Sequence, residues 1–307
     1  MNRYIAFCHI IETGSFSRTA EEMGYSQSAV SQMIRSLENE MDLKLLIRSR
    51  GRVELTHEGR ELLPLIRSVV NDYRVLQEKS HELRGVNSGE IRIGTMNSVS
   101  NFWLPKMIKK FQEIYPEVRF TLMQGEYTSI AEWVKSGEAD FGFANGDAVT
   151  GLTIVPLYTD EMMAVLPVNH PLADRSAVPL AALSDDPYIR LEEGSFNEPM
   201  NAFHSLGLEP NIRLSVYDDY TVLAMIEEGL GYSIIPEMNL LRHDYRVVKR
   251  SLEPKITRNL CLIYRNLNAV PKMSRLFIDF ISTYFFHLKN DTTEHTGRSK
   301  GKQHHEI

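Results

Sequence analysis

Apolar residues near the start of the chain recur at helical spacing in three short runs punctuated by glycine. Tyr4, Phe7, Cys8 and Ile11 share one face of a helix expected over residues 2–13, with Gly14 at its end. Phe16, Ala20 and Met23 mark a second helix, which Ser15 or Ser17 can cap and Gly24 can end. Val30, Met33, Ile34, Leu37 and Met41 form an apolar stripe on a third, which Ser26 can cap. Its other face carries Gln27, Ser28, Ser31, Gln32 and Arg35, small or hydrogen-bonding residues able to reach base edges in a DNA major groove. An ordinary solvated face more often carries Glu and Lys. Residues 43–48 and 52–55 can then pair as a small hairpin around Ser49-Arg50-Gly51.

Beyond the hairpin the helical period lengthens. Between about residues 56 and 84, Leu62, Ile66, Val69, Tyr73, Leu76 and Leu83 follow spacings of 4, 3, 4, 3 and 7, with the heptad interrupted at Ser80. Such a seam predicts a helix partner from a second chain, with packing on its own domain as the alternative. Pro64 should bend this helix or lie within its first turns. Gly85-Val86-Asn87-Ser88-Gly89 marks its end and a boundary.

From Glu90 onward the pattern alternates. Strands are expected at residues 91–96, 118–123, 139–144, 162–167, 188–191, 212–217, 232–235 and 260–265, and helices at 101–115, 128–135, 196–205, 220–228 and 271–287. Alternation of this kind predicts an α/β fold with mostly parallel sheets. Residues 289–307 are polar and lack apolar period, so they are expected to be disordered. His304-His305 could bind a metal only adventitiously.

Composition narrows the function. The 307 residues suit two or three domains, and 43% hydrophobic with 24% charged residues is the balance of a globular chain. No run reaches the roughly 18–20 apolar residues of a membrane span. The apolar start meets Glu12 without a small-residue cleavage site, so it reads as a helix and the chain as cytoplasmic. Cys8 and Cys261 form no motif, as in a reducing compartment. The net charge of −6 argues against a general coat on nucleic acid but leaves room for a local surface. Lys44, Arg48, Arg50 and Arg52 supply one: four cations and no acid within nine residues, suited to phosphates.

Ligands of open α/β sheets bind at the carboxyl ends of the strands. The expected strand ends carry Asn97, Ser98 and Ser100, then Thr128, then Asn145, then Ser195 and Phe196, and finally Asp218. Helix capping accounts for any one of them, and the set points to a cleft for a small molecule. Serines at helix starts favour an anion, whereas Glu126, Glu193, Asp218 and Asp219 favour an amine or cation. A zwitterion would satisfy both, and the acids could equally be complements of their helix dipoles. No nucleophile elbow, Walker loop or zinc-spaced Cys/His set is present, so no catalytic residue, metal or cofactor is expected.

One further pattern carries a resemblance. Gly14-Ser15-Phe16-Ser17, Ala20, Ser26-Gln27, Ala29-Val30-Ser31, Ile34, Leu37-Glu38, Leu45, Arg48, Leu55-Thr56 and Gly59 together resemble the winged helix-turn-helix of LysR-type transcriptional regulators. Thr19-Ala20 replaces the family's paired alanines, Ser28 its proline and Leu46 its phenylalanine. The run from Trp133 to Asp140 and the run from Gly229 to Pro236 resemble the junctions of the family's effector domain. The resemblance implies a winged helix-turn-helix domain over 1–58, a linker and dimerisation helix over 59–88, and an α/β effector-binding domain over 89–288. That domain would comprise two Rossmann-like subdomains of the type 2 periplasmic-binding-protein kind, one over 89–161 and 266–288 and the other over 162–265. It implies promoter DNA as partner, an unidentified small-molecule effector, and a homodimer that assembles into a homotetramer. The competing reading is a solute-binding protein or enzyme of the same α/β fold with an accessory N-terminal region.

Overall fold

The computed structural model describes residues 1–49, 52–84, 88–241 and 244–298. It opens with α1 (Asn2–Thr13), α2 (Phe16–Met23) and α3 (Gln27–Met41). Gly14 and Gly24 adopt the left-handed conformation that closes α1 and α2. The hydroxyls of Ser15 and Ser26 accept from the amides of Arg18 and Ala29 and so cap α2 and α3, while Ser17 lies inside α2. Phe7, Ile10, Val30, Ile34 and Leu37 are buried together in one small core. Cys8 belongs to it, and burial pushes its thiol up to about 12, which makes it an inert structural group.

Strands β1 (Leu46–Ser49) and β2 (Arg52–Leu55) pair antiparallel as a wing. The wing starts at Leu46 and not at residue 43, because the amides of Leu45 and Leu46 are taken by the Glu38 carboxylate. Of the expected turn, Arg50 and Gly51 lie outside the described residues.

Helix α4 (His57–Leu83) follows, capped by Thr56, whose hydroxyl accepts from the Gly59 amide. Pro64 sits inside it and the helix continues through. The expected six-residue seam does not lie on one face. Ile66 is buried in the N-terminal core and Leu62 packs on that core, because the first turns of α4 lie against α1. Leu65, Val69, Leu76 and Leu83 stay exposed, Leu76 at 62%, and form a stripe with spacings of 4, 7 and 7.

The rest of the chain folds into two α/β halves. The first holds β3 (Gly89–Thr95), α5 (Asn97–Phe102), α6 (Leu104–Ile114), β4 (Val118–Gln124), α7 (Tyr127–Ser136) and β5 (Phe141–Asn145). The single helix expected over 101–115 is two, and Pro105, which lacks an amide proton, stands in the first turn of α6. Strand β6 (Thr153–Pro167) crosses to the second half. That half adds β7 (Ala177–Pro179), β8 (Tyr188–Leu191), α8 (Glu198–Ser205), β9 (Ile212–Val216), α9 (Asp219–Glu227) and β10 (Ser233–Pro236). Strand β11 (Val247–Tyr264) crosses back, and α10 (Lys272–Arg298) covers the first half.

Strand order in the large sheet is β10-β6-β11-β5-β3-β4, with β7 beside β11. It is mixed and not mostly parallel. β3 pairs parallel with β4 and β5, but β11 runs antiparallel to β5 and β6, and β10 antiparallel to β6. The cause is that β6 and β11 pass between the halves in opposite directions. Because residues 260–263 of β11 pair with β5, they go with the first half and not with the expected second subdomain of 162–265. Helix α10 likewise runs to Arg298, ten residues into the segment expected to be disordered, by propagation from its buried stem; residues 299–307 lie outside the described set.

Candidate DNA interface and ligand cleft

On α3, Val30, Ile34 and Leu37 point into the core, and this turns Gln27, Ser28, Gln32 and Arg35 outward, all exposed. Ser31 is half-buried on the same side, and the Ser26 hydroxyl lies 2.9 Å from that of Ser28. The face is therefore a polar patch whose one charge is a guanidinium, the chemistry of base-edge recognition. Glu38, two turns beyond Ser31, fixes the wing to this helix. It accepts from Lys44 Nζ at 2.7 Å and from the Leu45 amide at 3.0 Å. Burial pushes its carboxyl up, but the Lys44 ammonium and the two amides outweigh burial and hold it below the ordinary carboxylate value. Thr56 continues the clamp by donating to the Lys44 carbonyl at 2.7 Å. At Gly59 a Cβ would stand 2.2 Å from the Leu45 carbonyl oxygen, so only glycine lets α4 approach the wing this closely. In the wing register Arg48 stands opposite Val53, and Arg52 opposite Ser49, one step nearer the turn.

The polar side of α4 is clasped by the first α/β half. Arg67 pairs with Glu138 at 2.7 Å. Asn71, buried, accepts from Arg92 Nη2 at 3.0 Å. Arg74 pairs with Asp140, whose side chain is fully buried and also accepts from the Arg92 amide at 3.0 Å and the Ser274 hydroxyl at 2.6 Å. At 3.6 residues per turn, Arg67, Asn71 and Arg74 lie roughly opposite Leu65, Val69 and Leu76. One face of α4 is thus locked to its own chain and the other is bare.

A cavity of about 280 Å³ opens between the two halves where β3, β4, β8 and β11 end or cross. Asn97 and Ser98 line it, as expected of the first strand end. Ser100, Thr128, Asn145, Ser195, Phe196 and Asp218 do not. Ser100 is buried beneath and donates to Thr95 Oγ1 at 3.2 Å. Thr128 donates to Glu126 at 2.6 Å and lines a separate groove beside Pro64 and Trp133. Asn145, also buried, donates to Glu198 Oε1 at 2.8 Å. Ser195 is exposed away from the cavity, and the Phe196 ring packs 6.3 Å from that of Tyr127. Asp218 caps α9 by accepting from the Thr221 amide at 2.8 Å.

Glu193 and Asp219, two of the acids expected at the strand ends, do line the cavity, and the structure adds Asn239, Tyr217 and above all Arg258. Arg258 is 2% exposed and stands opposite Asp160 in the β6–β11 register. Its Nε and Nη2 donate to Asp160 Oδ2 at 3.0 and 2.8 Å, and Nη2 also donates to Ser98 Oγ at 3.0 Å. A signal for this pair exists in the sequence, since Ile256, Arg258, Leu260 and Leu262 alternate on one face. A charge on an otherwise apolar strand face needs a buried partner.

The family model for the bacterial regulatory helix-turn-helix of the lysR family matches residues 1–60, and the LysR substrate binding domain model matches residues 84–285. The uncharacterized HTH-type transcriptional regulator YvbU of Bacillus subtilis is 31% identical over 282 residues, spanning 91% of this chain and 96% of that protein. Full-length OxyR from Pseudomonas aeruginosa superposes with a TM-score of 0.70 at 19% identity, over 92% of each chain. CbnR complexed with its target DNA gives a TM-score of 0.62 at 19% identity, over 91% of this chain and 98% of that one. At those identities the two structures share the architecture.

Proposed function

The chain belongs to the LysR family of DNA-binding transcriptional regulators, and from that premise we propose how its parts divide the work in a cytoplasmic homodimer. It is a regulator with a DNA-binding domain and an effector-binding domain, and its family is not one of enzymes. Gln27, Ser28, Ser31, Gln32 and Arg35 read base edges, with Ser26 setting the start of the reading helix. Arg48, Arg50 and Arg52 hold the phosphate backbone. The exposed stripe of Leu65, Val69, Leu76 and Leu83 pairs with its copy on a second chain, so the operator has two-fold symmetry. The observation that carries this reading is the two-sided α4, one face clasped through Arg67, Asn71 and Arg74 and the other left apolar and bare.

In this account the cleft between the α/β halves takes the effector, and Asn97, Ser98 and Arg258 stand at its centre. A ligand that prefers one arrangement of the halves shifts the clasped α4 and with it the spacing of the two reading heads. A ligand with equal affinity for both shifts nothing. In a solute-binding protein or enzyme the polar face of α3 would have no use.

Fluorescence anisotropy on duplex DNA from upstream of the gene, against random duplex, tests the reading. Binding should be sequence-selective and should weaken steeply with salt. Arg35→Ala should cost about 1–3 kcal/mol on the specific duplex and little on the random one. Equal loss on both would make Arg35 a phosphate contact, and no selectivity in the wild type would overturn the assignment of α3.

A further inference from the structure

On the acidic side of the cleft several acceptors are left without a donor. Asp219 is 9% exposed; Asn239 Nδ2 donates to its Oδ2 at 2.6 Å, and its Oδ1 has no partner among the described residues. Asn239 Oδ1 is buried without a partner. Turning that amide over would aim its oxygen at the Asp219 carboxylate, so the orientation is fixed. Glu193 lines the cavity and has neither a hydrogen bond nor an ion pair among the described residues. Behind it, Glu198 is buried with Oε1 held by Tyr127 and Asn145 and Oε2 unpartnered. Every one of these vacant atoms is an acceptor.

The chain itself occupies most of the means of holding an anion, although no side chain caps the amides that open α5. Arg258 is the one basic residue among those lining the cavity; Asp160 and Ser98 occupy its Nε and Nη2, and its Nη1 lies 3.8 Å from the Met96 sulfur. The amides that open α7 and α9, the usual anchors of a carboxylate or phosphate, are capped by the chain's own Glu126 and Asp218. Glu192, also at the rim, is paired with Arg190 at 2.9 Å.

We propose that the effector carries a positively charged nitrogen, an amine or guanidine, donated to Glu193, Asp219 and Asn239. This rests on the cleft being the effector site. Tyr217, exposed at the cavity mouth, offers its ring face to the same cation. Without a cation the acids relieve their burial by holding protons. Burial, with Glu198 and Asp219 adding to it and Arg258 opposing, pushes Glu193 up to about 8. Asp219, through burial and Asp218 against Arg258 and Asn239, rises to about 6. A cavity of about 280 Å³ holds a molecule of small-metabolite size.

Calorimetric titration of the full chain decides it, using 1,4-diaminobutane and 4-guanidinobutylamine as cations and succinate and adipate as anions. The two cations should bind and the two dicarboxylates should not. Glu193→Gln and Asp219→Asn should each weaken cation binding roughly 10- to 100-fold, the loss of a charge-assisted hydrogen bond. Both variants should keep wild-type DNA affinity, which shows them folded. Binding of a dicarboxylate in place of the cations, cation binding indifferent to both substitutions, or no response to either cation at millimolar concentration would each overturn the proposal. If selective DNA binding persists in those cases, the regulator reading stands and only the ligand class falls.

Discussion

Asp140→Asn removes the charge at the centre of the clasp between α4 and the effector-binding domain. The carboxylate is fully buried and accepts from Arg74, from the Arg92 guanidinium at 3.3 Å and amide at 3.0 Å, and from Ser274 at 2.6 Å. The asparagine keeps the shape but turns one acceptor into a donor facing other donors. Breaking a buried ion pair by removing one partner costs about 3–5 kcal/mol. The two arginine side chains are about one-fifth exposed, so water relieves part of the loss, which puts the expected cost near ~3 kcal/mol. For a domain of roughly 200 residues that lowers the melting midpoint by about 6–12 °C. Thermal melts of wild type, Asp140→Asn, Arg74→Met and the double variant would measure the cost and its coupling. The double variant should recover part of the loss, because it leaves fewer unpaired buried charges. A drop below about 2 °C for Asp140→Asn, or strict additivity of the two substitutions, would refute the clasp.

Three other outcomes follow from the same geometry. Leu76→Asp should shift sedimentation from dimer to monomer, with a dimer Kd more than ~100-fold higher, because two exposed leucine surfaces lose their burial at once; an unchanged mass would place the interface elsewhere. Gly59→Ala forces its Cβ against Leu45 and should cost about 1–3 kcal/mol with loss of DNA affinity through the displaced wing, and a variant as stable as wild type would show that the wing yields freely. Glu193, raised above its ordinary 4.5 to about 8, keeps its proton on folding after the unfolded chain has lost it, so its contribution is complete below about pH 4.5 and is lost as pH rises to 8. Urea unfolding should therefore show wild type losing on the order of 2–4 kcal/mol more than Glu193→Gln between about pH 5 and pH 8, and parallel profiles would contradict that role.

How far the sequence could be read depended on the range of the interactions. Ser15, Ser26, Gly14 and Gly24 act within a few residues, so the bounds of the first three helices were legible from local chemistry. The heptad in α4 was legible as apolar spacing, but spacing alone does not say which side meets the chain's own core. Ile66 went inward and Leu65 outward because α1 occupies one flank. Strands β6 and β11 were seen only in part, because their polar stretches, including Asp160 and Arg258, read as loop until the two strands pair. Of the strand-end residues legible in the sequence, Asn97 and Ser98 line the cavity, while Thr128, Asn145 and Asp218 are engaged within the chain. Asn239 and Arg258 lie 142 and 161 residues beyond Asn97, and only tertiary folding makes them neighbours.

A hydroxyl-radical footprint of the full chain on its own upstream DNA tests the central claim, a paired reading head set by α4. Two protected patches should lie on one face of the duplex, related by a two-fold axis and separated by a multiple of about 10 base pairs. Leu76→Asp should abolish them together. A single patch, or protection unchanged in Leu76→Asp, would contradict the account.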